Sequence, residues 1–573
     1  LSSNIPMGPP LKAPVARPAS HSRFSKRRRR KHPAGAILLL LVGSILAGVA
    51  GCSSDGPVAG NGEGAALRVG TPMPVRVANP LVDYSYNIFA MLATHDTLVR
   101  FDAAMRPQPQ LALAWKASAD GRQWRFLLRS DARWHDGRPV TAGDVKFTFE
   151  YLMAHHGASA WMQTLISRIQ ADDATVTFDL TKPHSRFLIN CGFIVRILPK
   201  HVWETVADPF KPGDARVTMG CGPFVFQSLD LHAGRLEFRR NNAYHGPLPT
   251  VSGLSIFLNR PFDALALSLR RGDLDLYYKY ASGFPPSHLA VLFSTPDLRL
   301  PEADALGIPA ALGFNLKRRP ADDADFRKAI AAALDYDRLT ASLMGSQGKV
   351  PDRGFLPPAF GNGPADMVLA HDPEESGRRL ECAGYTDTDG DGLRNLPGGG
   401  NIALTLLARA DLAGTDALLP IISHNLKAVG LCLKIERVDL STWIDRVHGD
   451  RFDLVMFRTT PWGMVMDAGV ASGYFDSRRR GGGTLANVTD PIFHDLCDRL
   501  LATTDPVRQA GLQQAIQRYY AEHLPAVALC WAVNTYPVRR SWQGLTINQL
   551  EGGLLNRQTF AGIYRSTPGK QDP

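Results

Sequence analysis

The chain has 573 residues, 45% of them apolar and 21% charged. That is a globular composition with length for two or three cores, and it excludes a mainly disordered or fibrous protein. The formal net charge is +10, but residues 1–51 hold nine Lys or Arg and no Asp or Glu, so the rest is close to neutral and broad electrostatic capture of nucleic acid is excluded.

In chain order, a cationic block from Lys26 to Lys31 precedes one apolar run, Ala34 to Ala50, and then Gly51 and Cys52. This is the order of a secretory signal, and the run is short and glycine-broken for a stable membrane span. The ending Val49-Ala50-Gly51-Cys52 resembles the bacterial lipobox, which implies lipidation at Cys52 and cleavage just before it; a plain membrane anchor is the alternative. Lipid chains on Cys52 attach the body to a membrane surface, so an exported, periplasmic or cell-surface lipoprotein is expected. The arginine run lacks the residues that follow a twin-arginine pair. Residues 52–66 are small, polar and glycine-rich, as in a flexible tether.

From Leu67 onward strands and helices interleave without a long linker. Trp124 to Arg129 and Thr175 to Leu180 alternate as half-buried strands. Thr141 stands three residues before Asp144, close to a capping box, and opens an apolar face through Val145, Phe149 and Leu152. Asp325 is expected to cap a helix carrying Phe326, Ile330, Leu334 and Leu343. Asp372-Pro373-Glu374-Glu375 is a helix start, with a capping Asp, Pro at the first helical position and acids on the positive end of the dipole. That helix should stop at Gly384. Phe452 to Phe457 reads as a mostly buried strand. The sum is a mixed α/β protein with at least two lobes.

Catalytic chemistry is missing. No zinc helix, Walker loop or nucleophile elbow occurs, and the six cysteines after Cys52 form no CxxC pair. Leu343 to Lys349 has the wrong glycine spacing for a phosphate loop, and His155-His156 reads as a solvated loop. Asp387-Thr388-Asp389-Gly390-Asp391-Gly392 matches half of a calcium loop, but Gly398 stands where the bidentate Glu belongs. A turn between a helix and a strand is the better reading. No catalytic residue, metal ligand or cofactor is expected.

Several stretches together resemble the family-5 solute-binding proteins of bacterial ABC importers, the dipeptide, oligopeptide and nickel receptors. They are Asp120 to Arg129 running on to Trp134-His135-Asp136-Gly137 and Glu150; Gly220-Cys221-Gly222-Pro223-Phe224, with Cys where the family has Thr; Phe314-Asn315-Leu316-Lys317 with Phe326 to Ile330 and Ala333-Leu334-Asp335; Tyr385 after the Asp372-Pro373 helix; and Leu426 through Gly430 to Phe457. They keep the family's order over nearly the whole body. The resemblance implies a two-lobed α/β periplasmic-binding-protein fold of type II with an extra subdomain in lobe one. Lobe one is placed at 67–305 with the insertion near 98–220, lobe two at 306–533, and a C-terminal return to lobe one at 534–573. It implies a monomeric receptor that closes on a peptide or similar small polar solute and delivers it to a permease and ATPase complex, breaking no bond in it.

By the same resemblance, Asp467 is the candidate anchor for a peptide amino terminus and Trp462 the candidate wall, although Asp467 capping the next turn is equally open. Arg458-Thr459 and Trp462-Gly463 also resemble an R-T-W-G stretch of the nickel receptors, interrupted here by Thr460 and Pro461. Ala160-Trp161-Met162 resembles another, with Ser159 where an arginine is expected. Tyr86, placed just before an early lobe-one helix, and Arg196, as a partner for a ligand carboxylate, complete the set. The alternatives are a metal–chelate receptor and a lipid-anchored sensor or chaperone without transport.

Overall fold

Two large mixed sheets and one smaller antiparallel sheet organise the molecule. The computed structural model describes residues 64–566 apart from 105, 156–159, 207, 211–214, 352–369, 413, 460–473 and 480–484; the side chains of residues 160, 161 and 479 are outside the description as well. The signal-like segment and Cys52 therefore lie outside the described residues.

The first large sheet runs in the order Leu298–Arg299, Val538–Arg539, Leu276–Tyr277, Leu67–Gly70, Gly253–Phe257, Arg235–Arg240 and Phe224–Asp230. Leu67–Gly70 sits in parallel between Gly253–Phe257 and Leu276–Tyr277. The second runs Glu302–Asp304, Ala526–Thr535, Ala310–Phe314, Leu454–Phe457, Ala403–Arg409 and Cys432–Val438, with Gly348–Lys349 beside the long strand. Ala403–Arg409 is parallel to both of its neighbours. Each sheet has its own sealed core, with Leu67, Phe89 and Leu254 in one and Ile330, Leu406 and Val527 in the other. The chain passes between the sheets twice, after Arg299 and after Thr535. The protein is thus two-lobed.

The smaller sheet is a subdomain of the first lobe, with strands Ala112–Ala117, Gln123–Leu128, Thr175–Leu180 and Ile166–Ala171. Gln123–Leu128 alternates exposed and buried residues along its length, the period-two pattern of a strand with one face on a core. Phe126, Phe178 and Phe187 pack there as an aromatic cluster. Helix Ala142–His155 covers them, and its start is a reciprocal cap: Thr141 Oγ1 accepts from the Asp144 N–H at 3.2 Å and Asp144 Oδ2 from the Thr141 N–H at 2.8 Å. Asp372 caps helix Pro373–Cys382 in the same way as expected. One cap differs from the sequence expectation. Asp323 caps helix Ala324–Ala333 and Asp325 lies inside it, while Leu343 belongs to the next helix, Tyr336–Met344.

The two motifs most typical of the resemblance lock onto each other. Gly137 turns the chain with φ +88, a conformation that favours glycine. His135, just before it, accepts from the Gly220 N–H at Nδ1, 3.3 Å, and lies 3.2 Å from the Gly222 carbonyl at Nε2. A Cβ on Gly220 would lie 1.8 Å from the Thr94 carbonyl oxygen, so only glycine permits that backbone approach. These residues join the subdomain to the first lobe.

A buried ion cluster completes the joint. Asp96 forms an ion pair with Arg557 at 2.9 Å and accepts from Gln110 Nε2 at 2.6 Å, and His245 Nε2 lies 3.1 Å away; the Asp96, Arg557 and His245 side chains are all nearly sealed. On its far side the subdomain touches lobe two. Ser185 donates its N–H to the Leu501 carbonyl at 2.7 Å and its Oγ–H to the Leu500 carbonyl at 2.9 Å, meeting the last turn of helix Pro491–Ala502, where helix carbonyls lack partners of their own.

Candidate ligand cleft

Between the lobes, residues at strand ends and at a helix start converge. Lys279 and Tyr280 follow strand Leu276–Tyr277, and Arg458 follows strand Leu454–Phe457, each at the carboxyl end where open α/β sheets present ligand groups. Thr459 holds the Arg458 turn against the crossing segment. Its N–H donates to the Ile308 carbonyl at 3.0 Å and its Oγ1 accepts from the Ile308 N–H at 2.9 Å. Tyr280 is fixed by its hydroxyl, which donates to the Leu550 carbonyl at 3.2 Å.

Tyr84 opens helix Tyr84–Ala93, whose N-cap Asp83 accepts from the Tyr86 N–H at 2.9 Å. Burial raises the Tyr84 phenol, and Arg196 from lobe one and Arg458 from lobe two both pull it back down. Cations of the two lobes thus act on one hydroxyl. Burial lowers Arg196 to about 10; its Nη1 donates to the Ile194 carbonyl at 3.3 Å. Burial, then the charge of Arg458, lowers Lys279. Among the described residues neither Lys279 nor Arg458 makes a side-chain hydrogen bond or ion pair. Arg458 also acts on Asp411, an acid already bound to Arg409 at 2.6 and 3.0 Å. The described lining is therefore cationic and phenolic, chemistry suited to a carboxylate and to polar contacts.

The sequence candidates distribute unevenly over this cleft. Arg196 and Arg458 belong to the set of charged groups that act on Tyr84. Tyr86 does not, and is not just before the helix but within it: its side chain is fully buried in the lobe-one core, edge-on to Phe226. Residues two apart on a helix point to nearly opposite faces, so the exposed tyrosine is Tyr84, 55% accessible. Asp467 and Trp462 lie outside the described residues, as does the side chain of Trp161 in helix Ala160–Leu165. Lys279 and Tyr280 carry no sequence motif, since a strand of two residues leaves no alternation to read.

The acidic turn is closed by its own backbone. Oxygens of Asp387, Asp389 and Asp391 lie within 4.8 Å of one another. Asp387 accepts from the Gly390 and Gly392 N–H groups at 2.7 and 2.9 Å, and Asp391 from the Leu393 N–H at 2.7 Å. Among the described residues no helix is long and apolar enough to cross a membrane.

Comparison with known proteins matches residues 106–481 to the model of bacterial extracellular solute-binding proteins, family 5 Middle. A probable D,D-dipeptide-binding periplasmic protein of Escherichia coli K12 is 26% identical over 460 residues, covering 79% of this chain and 84% of its own length. The nickel-binding periplasmic protein of the same organism is 23% identical over 413 residues, 70% of this chain and 76% of its own. Among solved structures, HbpA2 from Haemophilus parasuis superposes with a TM-score of 0.75 at 18% identity, over 88% of this chain and all of that one.

Proposed function

The chain belongs to the bacterial extracellular solute-binding proteins of family 5, and from that premise we propose that it is the ligand receptor of an ABC importer. It takes a peptide or a comparable small polar solute between its lobes and presents the closed form to a permease. What supports this reading is the family match over residues 106–481 together with the two-sheet, two-lobed fold, with Tyr84 and Arg196 on one lobe and Arg458 at a strand end of the other. A solute carboxylate placed there touches both lobes at once and stabilises the closed form by its differential affinity for it. The lobes divide at 305/306 and 533/534, with the subdomain at about 98–220. Asp467 meets the solute's ammonium and Trp462 packs on its chain. The protein performs no covalent chemistry on the solute, acts as a monomer outside the cytoplasm, and is held at a membrane by lipid on Cys52.

A metal–chelate ligand is the second reading. It is favoured by the same cations, which suit a chelator's carboxylates, and by the Arg458-Thr459 stretch. Mass spectrometry of solute released on gentle denaturation separates the two. A mixture of short peptides supports the first reading and a single metal-bearing species the second. A protein that releases no solute and binds neither class contradicts both.

A further inference from the structure

Lobe one carries a further surface at the end of its sheet away from the cleft. Helices Phe262–Arg271 and Pro286–Phe293 pack on one core through Leu265, Leu269, Leu289 and Leu292. Arg539 marks where both helices end: its Nη1 donates to the Leu269 carbonyl at 3.0 Å, and its Nη2 lies 3.5 Å from Asp297, shortly past the second helix. The Arg539 N–H donates to the Asp275 carbonyl at 2.8 Å, just before strand Leu276–Tyr277, whose other end leads to Lys279 and Tyr280. The ribbon of Trp542–Gln543 with Tyr564–Arg565 adjoins them, because Arg299 Nη2 donates to the Trp542 carbonyl at 2.8 Å and Arg540 Nε to the Pro296 carbonyl at 2.7 Å.

Exposed apolar groups and cations without acids meet at this end. Leu267, Val291, Phe293 and Tyr564 are 43% to 58% accessible. Leu267 shares a helix face with the exposed Arg270 and Arg271, one turn further on. Arg540 and Arg565 are exposed too. Among the described residues none of these four arginines forms an ion pair. The acids here are engaged elsewhere: Asp275 pairs with Arg68 at 2.7 Å, Asp297 with Arg539, and Asp273 acts on Arg68. Burial and then the charge of Arg540 lower Arg299, so cations crowd one another. The chain also enters here. The carbonyl of Gly64, the first described residue, accepts from the Ser252 N–H at 3.2 Å, and nearby Thr250 donates to the Phe560 and Ile563 carbonyls beside Tyr564. Whatever precedes Gly64, Cys52 included, therefore joins the body at this end.

From these placements we propose that this end of lobe one docks on an anionic lipid bilayer. The proposal rests on the reading of a receptor held at a membrane through Cys52, and adds which face the membrane meets. Apolar side chains beside arginines suit an interfacial contact, in which buried apolar area and attraction to anionic headgroups act together. Each arginine near such a surface adds attraction, which salt screens. Leu267 and Phe293 enter the headgroup boundary, while Arg270, Arg271, Arg540 and Arg565 meet lipid phosphates. The lobe-one wall of the cleft stays clear of the bilayer, because Lys279 and Tyr280 follow the opposite end of the same strand.

Hydroxyl-radical footprinting of the full chain, read by mass spectrometry, tests this with phosphatidylglycerol vesicles, with phosphatidylcholine vesicles and without vesicles. Oxidation of Phe293 and Tyr564 should fall about threefold or more on the anionic vesicles and little on the zwitterionic ones. Ile492 and Val507 of lobe two, both exposed, should keep their reactivity. The protection should be lost in a chain carrying Arg270→Gln, Arg271→Gln and Arg565→Gln together, three exposed positions. The mass of the Cys52 peptide reports lipidation separately: an unlipidated chain that shows the footprint upholds the docking face and refutes the anchor. Phe293 and Tyr564 as reactive with anionic vesicles as without them overturns the proposal, as does equal protection on both vesicle types. Protection that grows with protein concentration in the absence of vesicles would put a second copy there and overturn it as well.

Discussion

Replacing Asp96 by Asn removes one charge from the joint between the subdomain and the first lobe while keeping nearly the same shape. Asn Oδ1 still accepts from Gln110 Nε2, now at 2.6 Å, so that bond survives. What is lost is the counter-charge of Arg557, whose side chain is 8% exposed against 0% for Asp96. Removing one partner of a buried ion pair costs about 3–5 kcal/mol. Arg557 keeps the Met91 and His95 carbonyls as acceptors, so the lower figure, about 3 kcal/mol, is expected. With an unfolding entropy of about 2.1 cal/mol/K per residue over about 500 residues, that lowers the melting temperature by about 3 °C if the body melts as one unit. Calorimetry at pH 7 measures the single variant, and a cycle with Arg557→Met isolates the pair. In the double variant the buried charge is gone, so its cost should be much less than the sum of the singles. A loss under about 1 kcal/mol in Asp96→Asn, or additive singles, would refute the assignment of the pair as a coupled buried interaction.

Three further outcomes are expected. Burial lowers His135 to about 4, and burial together with the charge of His135 lowers His95 to about 3. The folded protein therefore keeps both neutral where the unfolded chain takes up protons, below about pH 6.5. Their stabilisation is intact above that pH and is lost as the pH falls toward 4, about 3 kcal/mol for His135 alone; denaturant melts from pH 7 to 4 should show this slope, and His135→Gln should flatten it. Gly220→Ala sets a Cβ 1.8 Å from the Thr94 carbonyl oxygen, and the backbone shift it forces should cost about 3 kcal/mol in urea unfolding; a neutral result would mean that the turn relaxes freely. Ser185→Ala deletes the 2.9 Å bond to the Leu500 carbonyl across the lobes, worth about 1 kcal/mol, and should shift a ligand-free closed population toward open about fivefold by spin-label distance measurements; unchanged distances would mean that this contact persists in both forms.

Much of the architecture is written locally. The alternation at Gln123–Leu128, the Thr141–Asp144 pair and the Asp372-Pro373 start are short-range patterns, and each matches its element. Local pattern fails where two residues compete for one role. Asp323 and Asp325 both fit a cap, and only the chain's entry into the helix selects Asp323. Tyr84 and Tyr86 differ by the face they occupy, and the buried run through Phe89, Ala90 and Ala93 takes Tyr86 with it. Long-range partners leave no local trace at all: Asp96 and Arg557 come from opposite ends of the body, and Lys279 stands beside Arg458 only because two sheets from separate parts of the chain face each other. The motifs that carry the resemblance prove mainly architectural, since His135, Gly220 and Gly222 hold the subdomain to its lobe.

The central claim is that solute holds two lobes together. Small-angle scattering should therefore be recorded on the protein as purified, after solute is removed by denaturation and refolding, and after the released solute is returned. A larger radius of gyration on removal, reversed on return, is the expected result. Three superposable curves from a preparation shown to release and rebind solute would contradict the claim.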